Sequence, residues 1–399
     1  MSMSSSASSP SLELPKGSFP SNAASQILSE CISPYYYYRI EGIRQSESAL
    51  LVFARLSDNP DTDNCIVLKK LCAYKDTRYS LETLSKRQQC QLEGLRWNRV
   101  FTPELYIGLA PLHPMELHQG IICIGEVIET PTKEQLEPDA EYVLLMQKLP
   151  ENRRLDYLLE KAEINYCQHY TLSLADYVAY MHKYLVFPVP IEDAIRWGSY
   201  EQLQRKLTHN LELLDLLLKK VNDNEYQCDS CNKLTDRLTN VRDTFKQVSM
   251  QSQYRRYSEQ RVAEQRIKYC HGDLKSPHIW IMPYEHDDRE PGQPIKLLDA
   301  IDFNPLYNHI DILSDFAMLV ADVQARTQSL SLVNEMVDRY LQQTDQENEC
   351  ARKVLDYYII EKAIVGTAIS ILYDNVPQLG LRFLDVAELR LKSLYSVAV

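Results

Sequence analysis

The first 150 residues show the short apolar and aromatic runs that are typical of β-strands. The stretch YYYYRIEGIRQSESALLVFARL, residues 35–56, is rich in aromatic, β-branched and aliphatic residues around a polar break at 44–48. This pattern predicts a strand, a turn and a second strand. Further strands are predicted in four segments, NCIVLKKL, LYIGLAPL, GIICIGEVIE and EYVLLMQKL.

One segment of this first part has the spacing of a helix. In residues 80–101, SLETLSKRQQCQLEGLRWNRVF, apolar residues recur at helical intervals with charged residues among them. Ser80 is predicted to be the N-cap, and Thr102 and Pro103 to end the helix.

The pattern changes after Pro150 to long amphipathic repeats. Helices are predicted in LSLADYVAYMHKYLV, YEQLQRKLTHNLELLDLLLKKV and CNKLTDRLTNVRDTFKQV, and again from residue 310 to the end. Three short strands, IKYCHGDL, HIWIMP and IKLLDAIDF, interrupt them, with the polar loop YEHDDREPGQP at 284–294. The chain is therefore predicted to be an α+β protein with a β-rich N-lobe and a mainly helical C-lobe. We expect a disordered Ser- and Pro-rich leader at 1–34, the N-lobe at 35–150 and the C-lobe at 151–399.

Charge and composition exclude several classes of protein. The net charge of −12 argues against a nucleic-acid-binding surface, and no apolar run approaches the 18 residues or so of a membrane span. Ten scattered cysteines and the lack of a secretory signal predict a cytoplasmic protein with reduced thiols. Cys228 and Cys231 could form half a zinc site, but an incidental helical pair is the simpler interpretation. The oligomeric state stays open.

Two aspartates carry the candidate chemistry. Asp273 lies in HGDL after a short predicted strand, and Asp299 follows another strand in LLDAIDF. Two carboxylates so placed suit phosphoryl transfer, since one can orient an attacking hydroxyl and the other can hold magnesium against nucleotide phosphates. From spacing alone, a loop carboxylate that caps backbone amides and an ordinary turn residue are equally good interpretations.

The segment YCHGDLKSPHIWI, followed by IKLLDAIDFNPLYNHIDILSDFAML, resembles the catalytic region of the aminoglycoside phosphotransferase-like kinases, which have a protein-kinase-like fold. It is most similar to a bacterial branch of that family, and similar segments extend over nearly the whole chain after the leader. The resemblance implies that Asp273 is the catalytic carboxylate and that His271 braces its loop. It implies structural roles for Asp311 and Asp315.

The metal site departs from the family pattern. The resemblance implies that Asp299 or Asp302 is the main metal ligand, and the alignment does not decide between them. The metal-binding Asn of the family is replaced by His278, a poorer ligand for Mg²⁺, and Lys275 stands where the branch usually has His.

The nucleotide site is implied in the first part of the chain. Lys69 matches the lysine that contacts nucleotide phosphates, with Lys70 as the competing candidate, and Glu93 matches the carboxylate that pairs with it. Met146 lies in the connector whose backbone would meet the adenine ring. No glycine occurs from 43 to 93, so the turn at 44–48 would have to cover the phosphates. The P-loop motif of the domain often fused in this branch does not occur in the sequence.

The sequence therefore predicts a phosphotransferase that uses ATP or GTP with Mg²⁺, or with Mn²⁺ as the alternative, on the hydroxyl of a small-molecule acceptor. The alternative is an impaired pseudokinase that binds a nucleotide or a partner, because His278 and the missing Gly-rich loop weaken the site. A third hypothesis is an interaction module built on the Tyr-rich start and the long charged helices near residues 252–269, although charged helices are more often solvated faces.

Overall fold

The computed structural model describes residues 36–55, 65–75, 80–113, 120–161, 164–223, 229–283, 295–302 and 304–396. The chain divides into two compact units, one that ends at Leu149 and one that begins at Pro150. The predicted leader, the loop at 284–294 and Cys228 lie outside the described residues.

The first unit contains an antiparallel six-stranded sheet in the order β4-β6-β3-β2-β1-β5. Its strands are β1 (Tyr36–Gln45), β2 (Ala49–Arg55), β3 (Cys65–Leu71), β4 (Tyr106–Pro111), β5 (Ile121–Ile124) and β6 (Tyr142–Gln147). Successive side chains of a strand point to opposite faces of the sheet, so one face can be buried. In β2, Val52 and Ala54 are buried while their neighbours are half-buried. Leu68, Ile124 and Leu145 complete this core from the other strands.

Helix α1 (Leu84–Phe101) packs on β4 and β6. Its N-cap is Thr83, whose hydroxyl accepts a hydrogen bond from Lys86 N, so the prediction of Ser80 was wrong. The Ser80 hydroxyl instead donates to the Glu82 carboxylate at 2.9 Å, and Thr83 offers the same capping chemistry three residues later. The helix ends at Thr102 as predicted.

The second unit is mostly helical. Its helices are α2 (Leu155–Lys161), α3 (Ile164–Tyr180), α4 (Ile191–Trp197), α5 (Tyr200–Asn222), α6 (Asp229–Ser249), α7 (Ser252–Ala263), α8 (Pro305–Asn308), α9 (Ile312–Thr327), α10 (Leu330–Gln343), α11 (Glu349–Leu372) and α12 (Pro377–Ser396). Two small antiparallel pairs accompany them: β7 (Ile267–Tyr269) with β10 (His309–Asp311), and β8 (Ile279–Ile281) with β9 (Ile295–Leu297). The strand β10 was not predicted, because three residues before a strongly apolar helix give too short a pattern to recognise.

Helix α9 lies at the centre of this unit and is buried along nearly its whole length. It packs against α10, α11 and α12, and its Phe316 ring stacks on Tyr340 of α10 at a centroid distance of 3.7 Å. Asp311 caps α9, since its carboxylate accepts from Leu313 N at 2.9 Å. Such an enclosed helix provides a fixed support for the segments packed around it.

The α+β fold class, with an antiparallel sheet in the first part and helices in the second, is confirmed. Among the described residues, no helix is both long enough and apolar enough to span a bilayer.

Removing the buried cation of α7 should destabilise the second unit. Arg261 donates two 2.6 Å hydrogen bonds to Asp311, and both side chains are almost fully buried. Arg261→Met leaves the Asp311 charge unpaired and should cost about 3–5 kcal/mol of unfolding free energy in urea titrations. The control Arg255→Met removes an exposed arginine of the same helix, paired with Glu201, and should change stability by about 1 kcal/mol or less. Equal losses in both variants would contradict this assignment.

Candidate active site

The segment from Cys270 to His278 forms a loop that connects β7 to β8. It ends in a turn of 3-10 helix at Ser276–His278. The loop is fixed at its start by Cys270 N, which donates to Asn308 O at 2.7 Å. It therefore presents the predicted catalytic residue, Asp273, from a framework of short hydrogen bonds.

The carboxylate of Asp315, on α9, holds the first half of the loop. One oxygen accepts from His271 N at 3.1 Å and the other from Gly272 N at 2.8 Å. His182 Nε2 also lies 3.1 Å from Asp315 Oδ2, and its N–H must donate because an ionised carboxylate only accepts. Asp315 is fully buried, so its charge is stabilised by these three donors.

Burial by itself raises the pKa of the Asp315 carboxyl, but the hydrogen bond from His182 and the neighbouring His271 and Gly272 lower it below its usual range. His182, Cys270 and Asp315 offer ligand atoms within 4.8 Å of one another. Since Asp315 is already bound to His182 and to two backbone amides, we assign this buried cluster a structural role.

Gly272 is required by the backbone at the turn of the loop. Its φ is +84°, in the left-handed region that side chains disfavour. A Cβ at this position would lie 2.5 Å from the backbone oxygen of Tyr307. Only glycine lets the loop pass this close to the segment that precedes α9.

The ring of His271 makes hydrogen bonds to two parts of the backbone around the loop. Its Nε2–H donates to Leu298 O at 2.9 Å, while Nδ1 accepts from Asp273 N at 3.3 Å. These two contacts require a neutral ring. Burial lowers the pKa of His271, which also favours the neutral form. His271 thus positions Asp273 and the residue before Asp299 without being exposed itself.

A second aspartate of α9 holds the far half of the loop. Asp322 accepts from Ser276 N at 2.8 Å and from Arg326 Nε at 2.9 Å. The side chain of Asp322 is buried. The loop is consequently attached to α9 at two points that lie on either side of Asp273.

Asp273 itself is partly exposed and carries its charge beside a cation. Its Oδ2 lies 2.9 Å from Lys275 Nζ and 3.5 Å from His278 Nδ1. Burial raises the pKa of the Asp273 carboxyl, but Lys275 and His278 outweigh this effect and hold the pKa below its ordinary value. The group is therefore an anion at neutral pH.

His278 and Asp299 lie next to each other at the end of the loop. His278 Nε2 is 3.8 Å from Asp299 Oδ2, and Nδ1–H donates to the backbone oxygen of Asp273 at 3.0 Å. Asp299 has a left-handed backbone with φ of 61°. Asp302, the alternative metal ligand, is half-buried in the segment before α8, and its role stays a prediction.

These donors do not fit a magnesium site. Mg²⁺ requires oxygen ligands in near-octahedral geometry at about 2.0–2.1 Å. In this chain the loop places an imidazole nitrogen, His278 Nε2, at 3.8 Å from the Asp299 carboxylate. The predicted Mg²⁺ is thus poorly matched to the pair of residues that the family pattern assigns to it.

The predicted nucleotide residues all lie in the first unit. Lys69 is in β3, and its backbone oxygen accepts from Gln91 Nε2 of α1 at 2.8 Å. Glu93, two residues further along α1, accepts from Gln89 at 3.0 Å. Met146 is buried in β6, with β3 and β4 on its two sides. The pairing of Lys69 with Glu93, the choice between Lys69 and Lys70, and the adenine contact at Met146 stay predictions.

In the turn at 44–48, polar groups of Ser46 form hydrogen bonds with the start of the next strand. The Ser46 hydroxyl accepts from Ala49 N at 3.1 Å, and Ser46 N donates to Ala49 O at 2.8 Å. These contacts close the β1–β2 hairpin, so they occupy groups that were expected to cover phosphates.

Two important residues were not found from the sequence. His182 is in a π-helical turn, Met181–Leu185, which continues α3, and Asp322 is seven residues after Asp315. Their partners are distant in the sequence, which therefore gives no local sign of the contacts they make. The spacing of Asp315 and Asp322 on one helix, two turns apart, was the available signal.

The chain matches no protein-family model and no curated protein. Among solved structures, it is similar to a choline kinase from Cryptosporidium parvum Iowa II, with 11% identity and a TM-score of 0.47 over 90% of this chain and 91% of that one. An ethanolamine kinase from Plasmodium vivax is 12% identical, with a TM-score of 0.40 over 93% and 84% of the two chains.

An aminoglycoside phosphotransferase in complex with GDP and kanamycin is 11% identical, with a TM-score of 0.41 over 92% of this chain and 98% of that one. This third structure carries the name of the family that the sequence resembles. Because identities are this low, conclusions about function depend on the residues of this chain.

Replacing Asp315 by Asn should make stability less dependent on pH. The pKa of Asp315 is lowered on folding, so its contribution to stability is fully present above the unfolded value of about 3.9 and is lost as the pH falls through the folded value. Asp315→Asn should cost about 3 kcal/mol at pH 7, measured by urea unfolding, because an amide N–H would face backbone donors. The difference in unfolding free energy between Asp315→Asn and wild type should become smaller below about pH 4. A difference that stays constant from pH 7 to pH 3 would exclude the carboxylate as its source.

Proposed function

We propose that this protein is a phosphotransferase that moves the terminal phosphoryl group of ATP or GTP to a hydroxyl of a small molecule. The observation that carries the proposal is the state of Asp273: an anionic, accessible carboxylate on a loop fixed by two buried aspartates. Such a group can accept a hydrogen bond from an acceptor hydroxyl and hold its oxygen in line with the phosphorus atom.

A low pKa at Asp273 is compatible with this role. Phosphoryl transfer passes through a loose transition state in which little proton transfer is needed early, so positioning and charge neutralisation matter more than base strength. The carboxylate takes the hydroxyl proton as the new O–P bond forms and the bond to the nucleoside diphosphate breaks. Lys275, at 2.9 Å from Asp273, adds a positive charge where the negative phosphoryl group would arrive.

The surroundings of Asp273 favour an acceptor that carries an amine. Asp374, in the loop from α11 to α12, is exposed and within electrostatic range of both Lys275 and Asp273. A second carboxylate within electrostatic range of Asp273 would attract an ammonium group of the acceptor. We therefore place amino alcohols and aminated sugars first among acceptors to be tested.

A pseudokinase is the second candidate function, and the position of Lys275 favours it. Its ammonium group already occupies one oxygen of Asp273, and His278 stands where an oxygen ligand for Mg²⁺ is expected. A chain that binds a nucleotide without transferring phosphate would have these properties. Turnover separates the two candidates.

Asp273→Asn should slow transfer strongly and leave the fold intact. The amide cannot take the proton of the hydroxyl, so the rate should fall by about 10²–10⁴-fold. The measurement is release of nucleoside diphosphate from ATP and from GTP, with Mg²⁺ or Mn²⁺, in the presence of amino alcohols and aminated sugars.

The matched control is Asp338→Asn, which changes an exposed aspartate paired with Arg352 and should not alter the rate. Circular dichroism checks that both variants fold. Equal rates in wild type and Asp273→Asn would remove Asp273 from the mechanism. Nucleotide binding without turnover under every condition would favour the pseudokinase.

A further inference from the structure

We propose that His278 and Asp299 bind a divalent transition-metal ion, of the type of Mn²⁺, in preference to Mg²⁺. The inference deepens the proposed function, on which it rests, by naming the metal that the phosphotransferase site selects. His278 Nε2 and Asp299 Oδ2 would be the two protein ligands.

The hydrogen bonding of His278 prepares its ring for metal binding. Nδ1–H donates to the backbone oxygen of Asp273 at 3.0 Å, so in the neutral ring the lone pair is on Nε2. Metal-binding histidines usually donate their other N–H to a carbonyl or a carboxylate, which fixes both the tautomer and the orientation of the ring. His278 already has this arrangement, and Nε2 is its nitrogen nearest to Asp299.

The distance suits a shared ion. Ligand atoms bind such ions at about 2.0–2.2 Å, so two ligands of one ion can be at most about 4.4 Å apart. The 3.8 Å between His278 Nε2 and Asp299 Oδ2 falls within this limit. The distance is longer than a hydrogen bond, so the two atoms are not hydrogen-bonded to each other.

The chemistry of the pair decides which metal is preferred. Imidazole is a good ligand for first-row transition metals and a poor one for Mg²⁺, which is slow to exchange water for nitrogen. Asp273 does not supply a further oxygen ligand for Mg²⁺, because its carboxylate is paired with the ammonium group of Lys275. One nitrogen and one carboxylate oxygen therefore favour an ion that accepts both.

The test is pulsed electron paramagnetic resonance of Mn²⁺ bound to the full chain with ADP. Nitrogen coupling from a directly bound imidazole is expected in wild type and should disappear in His278→Asn. The control His169→Asn changes an exposed histidine of α3 and should keep the coupling. By calorimetry, His278→Asn should lower the preference for Mn²⁺ over Mg²⁺ by about tenfold or more.

Mn²⁺ binding without nitrogen coupling would overturn the proposal, and so would the absence of Mn²⁺ binding to the wild type. If His278→Asn does not fold, Asp299→Asn provides a second variant, in which Mn²⁺ binding should weaken; unchanged binding would contradict the site. The outcome is independent of turnover. Nitrogen coupling in a chain that transfers no phosphate would refute the proposed function while supporting the metal site.

Discussion

A single dehydrated carboxylate, that of Asp315, determines the shape of the candidate active site. A charge at full burial is very costly unless hydrogen bonds replace water, and here two backbone amides and one imidazole replace it. The two amides belong to His271 and Gly272, the residues immediately before Asp273. The same contacts that stabilise the charge therefore fix the direction in which the chain enters the loop.

Helix α9 extends this control over the whole loop. Asp311 at its N-terminus binds Arg261, Asp315 holds the first part of the loop, and Asp322 holds Ser276. Each carboxylate is buried and fully engaged, so the helix cannot shift without breaking charged contacts on several sides. This explains why the buried helix α9 carries two acidic residues with structural roles, Asp315 and Asp322, and a third, Asp311, at its N-cap.

Most of the architecture could be predicted from the sequence, because periodicity reflects burial on one face. The strands around Val52 and Leu68, and the long helices after Pro150, follow from this pattern. Ser80 could not be distinguished from Thr83 as a cap, since both have the same local chemistry.

Candidate site residues were recognised where a motif encodes them locally, as in HGDL. The partners of that motif could not be predicted in this way. His182 reaches Asp315 across 133 residues of sequence, and Asp322 reaches Ser276 across 46, so both contacts are products of the tertiary fold. The presence of His278 in the loop was visible in the sequence, whereas the direction of its ring required the structure.

The anchors of the loop act on backbone amides, and this has a consequence for how the site can change. The backbone amides of His271, Gly272 and Ser276 are present whatever side chains the loop carries. Only position 272 is restricted, because its backbone conformation requires glycine. Substitutions at 275 and 278 therefore leave these three backbone anchors in place. Single substitutions can therefore change the side chains beside Asp273 while the backbone that presents it keeps its anchors.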